Sequence, residues 1–183
     1  MSKVVIDLWT DGGVRFSDKV GGCGIIVQVD KNTVYEESIC FTATSSERCE
    51  LLAVLLGLDI ILSKLELYYT TIHIHTDCEY ITKTMTKWIN IYSFQPKRNL
   101  TKEGWVKEWK KVLDTLKPRK NYDLFKELCY ICLTNGNRIF FNKVKAHSGI
   151  ELNERADGLV KEALCKSFSG RRFEDNRKFI TYE

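Results

Sequence analysis

Four acids and one histidine stand out for the chemistry they could share. His147 and Asp157 lie ten positions apart in RIFFNKVKAHSGIELNERADGLVK (138–161), where an apolar run gives way to a histidine-bearing loop and then to an amphipathic helical pattern. Alone, a loop histidine and a helix aspartate are commonplace. Asp11 closes the apolar run VVIDLWTD, Asp77 closes IHIHTD, and Glu50 sits inside the helical pattern SSERCELLAVLLGLDII. An acid at the C-terminal end of a strand points out of the sheet edge where sites form, so two such strands and two helices could bring four carboxylates to one point. Carboxylates gathered in that way repel one another unless a cation neutralises them. Oxygen donors of this kind suit a hard cation such as Mg²⁺ or Mn²⁺.

The elements that must position these groups read as one α/β domain. With 183 residues, 44% hydrophobic and 28% charged, the chain can bury a core of its own. Residues 3–10 form a first strand, which Asp11 leaves for a glycine-rich turn. Val20–Val29 and Thr33–Phe41 are two further strands, with Asp30, Lys31 and Asn32 as a short polar connection, and together the three make an antiparallel meander. Ser45 or Ser46 caps a helix that runs to about Ser63, with Leu51, Leu55, Leu58 and Leu62 as its buried stripe and Glu50 beside it. Tyr69–Thr76 is a fourth strand, parallel to the first if the helix is a crossover, and Asp77 starts a helix to about Lys87. Helices follow over Asn121–Leu133 and Asn153–Lys166, flanking a fifth strand over Arg138–Lys145. The last helix buries Ala156, Leu159, Val160, Ala163 and Leu164, and beyond Phe168 the tail is mixed in charge and poorly patterned.

The net charge of +4 is too mild to argue for nucleic acid by itself. Between Lys97 and Lys120, however, nine basic residues face only three acids, a local surplus larger than that of the whole chain. There Trp105, Trp109, Val112, Leu113 and Leu116 form an apolar helical stripe, with Lys107, Lys110 and Lys111 on the other side. His73 and His75 share the face of Asp77 at strand spacing, but mid-strand histidines would sit below the edge where the acids meet, so a metal role is not expected of them. Seven scattered cysteines fit a reducing compartment, and the CxxC of Cys129 and Cys132 lacks the further ligands of a zinc site. The N-terminus enters a strand at once and no long apolar run follows, so neither export nor membrane insertion is expected.

Six pieces occur in order: TDG (10–12), a glycine-rich turn (21–24), RCEL (48–51), TDCEY (76–80), VKAHSG (144–149) and NERAD (153–157). This ordered set resembles the ribonuclease H type 1 family over about residues 3–166. The resemblance implies a ribonuclease H-like fold, a five-stranded mixed sheet of three antiparallel strands then two parallel ones, flanked by helices. It implies a catalytic domain over 1–166, a basic Trp-containing protrusion at about 88–120 that grips the DNA strand of a hybrid, and an appended tail over 167–183. The family cleaves the RNA strand of RNA/DNA hybrids endonucleolytically, leaving 5′-phosphate and 3′-hydroxyl ends. Two Mg²⁺ ions, or Mn²⁺, would be held by Asp11, Glu50, Asp77 and Asp157, with Asp11 bridging both, while His147 would assist proton movement or product departure.

For substrate contacts the same resemblance points to Gly12, Gly13, Arg15, Ser46, Arg48, Glu79, Trp105, Lys107, Lys110 and Lys111. Three departures are visible. Ser46 stands where bacterial members have an asparagine, Glu79 where they have a glutamine, and the stretch after Asp11 lacks their Asn-Pro-Gly, leaving Arg15 or Lys19 to meet phosphate. A carboxylate at position 79 can accept hydrogen bonds but cannot donate them. The expected protein is an intracellular monomer, in cytoplasm or nucleus, and its starting methionine favours a free-standing enzyme over a polyprotein segment. Two alternatives stay open: a transposase- or resolvase-type nuclease on a similar sheet, and a non-catalytic hybrid-binding module. The HSG loop followed by NERAD argues against the first, and the intact set of acids against the second.

Overall fold

The computed structural model describes residues 4–42, 45–65, 70–93, 102–134 and 138–166; the expected tail over 167–183 lies outside them. Five strands, β1 (Val5–Arg15), β2 (Val20–Val29), β3 (Asn32–Thr42), β4 (Thr71–Thr76) and β5 (Arg138–Lys143), form one sheet in the order β3-β2-β1-β4-β5. β1, β2 and β3 pair antiparallel, whereas β4 joins β1 and β5 joins β4 in parallel. The mixed sheet therefore has the arrangement expected from sequence.

Helix α1 (Ser46–Asp59) starts where Ser45 Oγ accepts from Arg48 N, and it runs on into a wider turn over Ile60–Lys64. Leu51, Leu55 and Leu58 are fully buried, but so are Cys49, Ala53 and Val54. The stripe is wider than its periodicity indicates because α1 is a middle layer, packed on β1 and β2 at one side and on α4 (Tyr122–Thr134) at the other. Leu62, at the far end, is only half-buried. Truncating a fully buried leucine such as Leu55 to alanine is expected to cost about 2–5 kcal/mol. Cys129 and Cys132 point into the same core from α4, and all seven cysteines are free thiols.

The opposite face of β1, β2 and β3 is covered by α5 (Glu151–Lys166), which buries Ala156, Leu159, Val160 and Ala163, with Leu164 half-buried. Here two expectations are corrected. The glycines at 21–24 are not a turn but part of β2, and a Cβ on Gly24 would lie 2.2 Å from the Ala156 carbonyl oxygen, so the bare strand is what lets α5 lie this close. Asp11 does not end β1 either. The strand continues through Gly12 and Gly13 to Arg15, paired with Val20, and the turn falls at 16–19.

Helix α2 (Glu79–Lys83) continues as a wide turn over Thr84–Trp88, and α3 (Lys102–Leu116) carries the basic segment. On α3, Val112 and Leu116 are buried and Trp109 is half-buried, while Lys107, Lys110 and Lys111 face solvent as their spacing indicates. The side chain of Trp105 lies outside the described residues. Among the described residues no helix is long and apolar enough to cross a membrane.

Candidate active site

The site forms where the parallel half of the sheet runs out. Pairing between β1 and β4 ends at Trp9 opposite His75, so Asp11 stands two residues past it on β1 and Asp77 directly follows Thr76, the last residue of β4. Glu50 arrives from α1, and Gly12 is the reason it can. A Cβ on Gly12 would lie 2.2 Å from Glu50 N and 2.4 Å from the Cys49 carbonyl carbon, so any side chain there would push α1 off the strand. Ser46 Oγ also donates to the Gly12 carbonyl at 3.3 Å, fastening the start of α1 to β1.

The result is a cluster in which one carboxylate oxygen from each of Asp11, Glu50 and Asp77 lies within 4.8 Å of the others. Burial, then the charge of Asp77 and that of Asp157, push the Asp11 carboxyl up to about 6, although the Gly12 N–H partly offsets them. Burial first, and then the charges of Asp11 and Asp77, push Glu50 well above the usual carboxylate range. Its Oε2 atom is buried without a hydrogen-bond partner. Three carboxylates this close, short of compensating charge and with an acceptor oxygen unused, are the donor set a hard divalent cation requires.

Asp157, on α5, stands at the side of this cluster. Its carboxylate is within 4.8 Å of ligand atoms of His147 and Glu154, and its Oδ2 accepts from Lys161 Nζ at 2.5 Å. His147 is exposed and has a positive φ of 49°, and Gly149 follows at 78°. The loop is tied at two points, by Ser148 Oγ donating to the Lys145 carbonyl at 2.7 Å and by Gly149 N donating to Glu154 Oε1 at 3.4 Å.

Two residues in this region are not signalled by their types alone. Asn153 is 4% exposed, donates from Nδ2 to Asp77 Oδ2 at 3.3 Å, and has a buried Oδ1 without a partner. It thus fastens α5 to the acid at the end of β4. Glu154 has one sequence signal, its position on the same helical face as Asp157.

The residues expected to touch substrate lie in varied surroundings. Gly12 and Gly13 sit under α1 and α5, a Cβ on Gly13 meeting Val160 at 2.9 Å. Arg15 holds Asp18 at 2.7 Å and donates to the Leu164 carbonyl at 2.8 Å. Arg48 makes two hydrogen bonds to Asp123 on α4, at 3.2 and 2.8 Å, joining two helices. Glu79 accepts from Lys83 and Lys143, and Lys111 pairs with Glu108 on its own helix. His75 Nε2 donates to the Asp7 carboxylate and its ring stacks on Trp9, and His73 meets Asn142 and Phe140, so both rings are engaged on the sheet face below the acidic edge.

Comparison with known proteins agrees with this geometry. A family model described as RNase H matches residues 3–165. A protein named Ribonuclease H from Saccharopolyspora erythraea is 32% identical over 157 residues, covering 85% of this chain and 87% of its own length. The Ribonuclease H of Mesorhizobium japonicum is 32% identical over 165 residues, covering 90% of this chain and 80% of its own. Among solved structures, LC11-RNase H1 in complex with an RNA/DNA hybrid shares the fold at a TM-score of 0.60 and 21% identity, over 91% of this chain and 99% of that one. With the family model spanning all five strands and every acid of the edge cluster, the chain belongs to the RNase H family.

Proposed function

We propose that the protein is an endonuclease that hydrolyses the RNA strand of RNA/DNA hybrids with two divalent cations, leaving 5′-phosphate and 3′-hydroxyl ends. The observation that carries this reading is the cluster of Asp11, Glu50 and Asp77 within 4.8 Å, in which burial and the neighbouring charges push Asp11 and Glu50 upward. The family membership and the hybrid bound by the LC11 enzyme support the choice of substrate.

Mg²⁺ is the expected ion, with Mn²⁺ able to replace it, and when bound such ions activate water and neutralise charge developing on the phosphate and leaving oxygen. Asp11, on which the charges of both Asp77 and Asp157 act, would serve both ions. Glu50 and Asp77 complete one group, and Asp157 belongs to the other, whose neighbours are His147 and Glu154. Asn153 donates to Asp77 Oδ2 and so would orient this carboxylate as a ligand. His147, carried on a loop, takes part in proton movement or product departure. The exposed lysines of α3, Lys107 and Lys110, are suited to DNA-strand phosphates, with Trp105 on the same helix, and such contacts give salt-sensitive binding that is indifferent to sequence. Recognition of the RNA strand rests on its 2′-hydroxyls.

In this reading residues 1–166 are the catalytic domain, the segment at about 88–120 is its basic protrusion, and the protein acts as an intracellular monomer. The test is cleavage of end-labelled RNA/DNA hybrid, double-stranded RNA and double-stranded DNA with Mg²⁺. Cutting of the RNA strand of the hybrid alone is expected. Binding of hybrid with no cutting would replace the enzyme by a binding module, and cutting of DNA would move it to the transposase or resolvase type.

A further inference from the structure

Beside the acidic cluster, Glu79 gathers two lysines. It is the first residue of α2, two positions after Asp77, and its Oε1 accepts from Lys83 Nζ at 2.9 Å and from Lys143 Nζ at 3.3 Å. Lys83 is the neighbour one helical turn on. Lys143 comes from elsewhere in the chain: it is the last residue of β5, in register with Thr76, and Val144 N donates to the Thr76 carbonyl at 3.0 Å. Both lysine side chains remain about half exposed, at 41% and 49%.

Ion pairs this open to water add little to stability, so the fold does not need the arrangement. Its position gives it another use. The trio brings two ammonium groups to one carboxylate, a formal net charge of +1 on the rim next to three acids. A phosphodiester brought to Asp11, Glu50 and Asp77 carries its neighbouring phosphates over this rim. The Glu79 carboxylate alone would repel them. With two ammonium groups fixed on it, each having three donors and only one engaged by Glu79, the rim instead offers charge-assisted hydrogen bonds to a phosphate.

We infer that Lys143 and Lys83, gathered on Glu79, hold a phosphate of the RNA strand within two positions of the one that is cut, and so set the register of cleavage. This rests on the ribonuclease H reading above. Glu79 acts as a positioning residue for the two ammonium groups and contributes no contact to the phosphate itself.

The test uses the full chain and a set of hybrids in which one phosphate at a time of the RNA strand is made a neutral methylphosphonate. KM and kcat are measured for the parent, Lys143→Met, Lys143→Arg and Glu79→Gln, with melting temperatures as a folding control. In the parent, one position within two of the cut raises KM about tenfold, the loss of one charge-assisted contact. In Lys143→Met the unmodified hybrid already shows that rise, and neutralising the same phosphate adds less than about twofold, because the two changes remove one interaction. Lys143→Arg keeps the sensitivity and Glu79→Gln blunts it. Equal penalties in parent and Lys143→Met at every position overturn the inference while leaving the ribonuclease H reading intact. A parent that cuts no hybrid overturns both.

Discussion

Asp7 and Asp11 lie four residues apart on the same strand and are treated in opposite ways. Asp7 is 3% exposed, yet Lys31 Nζ reaches its Oδ2 and His75 Nε2 its Oδ1, each at 2.8 Å. Burial pushes its carboxyl up, but these two partners outweigh burial and hold it below the usual value. Burial also pushes the His75 ring down, so the imidazole serves mainly as a hydrogen-bond donor and Lys31 carries the counter-charge. Asp11 has burial without the lysine, and its neighbours are Glu50, Asp77 and Asp157. One carboxylate is satisfied by the fold, and the other is kept in a cluster of acids that an added cation would relieve.

The contrast predicts its own largest effect. Asp11→Asn should lower kcat/KM for hybrid cleavage by about a thousandfold or more, since it removes the carboxylate proposed to serve both cations, whereas Asp7→Asn should stay within about threefold of the parent. Steady-state rates on one hybrid decide it; a large activity loss in Asp7→Asn would erase the distinction. Next in size, Asn153→Ala removes the amide that donates to Asp77, and is expected to weaken Mg²⁺ affinity by about 10–100-fold with hybrid affinity unchanged. Calorimetric titration of the ion separates that outcome from a general loss of folding.

The pH dependence of the metal-free protein should also divide the two acids. Because the Asp11 value is raised from 3.8 to about 6, the folded state holds its proton longer than the unfolded chain, so this contribution is full at low pH and lost as pH rises through that window. Asp7, lowered, contributes stability that is present above its ordinary value and lost as pH falls through the lowered one. Melting curves between pH 4 and 7 should therefore show a decline that Asp11→Asn flattens and Asp7→Asn does not. At pH 7, Mg²⁺ at a hundred times its Kd should restore about 2.7 kcal/mol to the parent. The smallest effect is Lys31→Ala: its ammonium is largely exposed and His75 remains on Asp7, so a loss of about 1 kcal/mol in urea unfolding is expected.

Much of this was legible from residue types and spacing. β2, β3 and the start of α1 follow their patterns closely, because hairpin chemistry at 30–32 and a serine cap are local signals. The end of β1 was not legible. An acid followed by two glycines looks like a turn, and only the approach of α1 to 2.2 Å from a Cβ on Gly12 explains why the strand stays bare there and continues. Asn153 was hidden for a similar reason: a polar residue in the first turn of a helix is ordinarily solvated, and its partner is 76 positions away. Asp7 did carry a signal, since an acid inside the run VVIDLW demands a partner, but nothing local names Lys31 and His75 as that partner.

The most direct test of the account is calorimetric titration of Mg²⁺, with Mn²⁺ alongside, into the parent, Asp11→Asn and Asp7→Asn at pH 7. Binding in the parent and in Asp7→Asn, and its loss in Asp11→Asn, is the predicted result. Equal binding in all three, or none in the parent, would contradict the claim that the uncompensated acids at the end of the parallel strands form a divalent cation site.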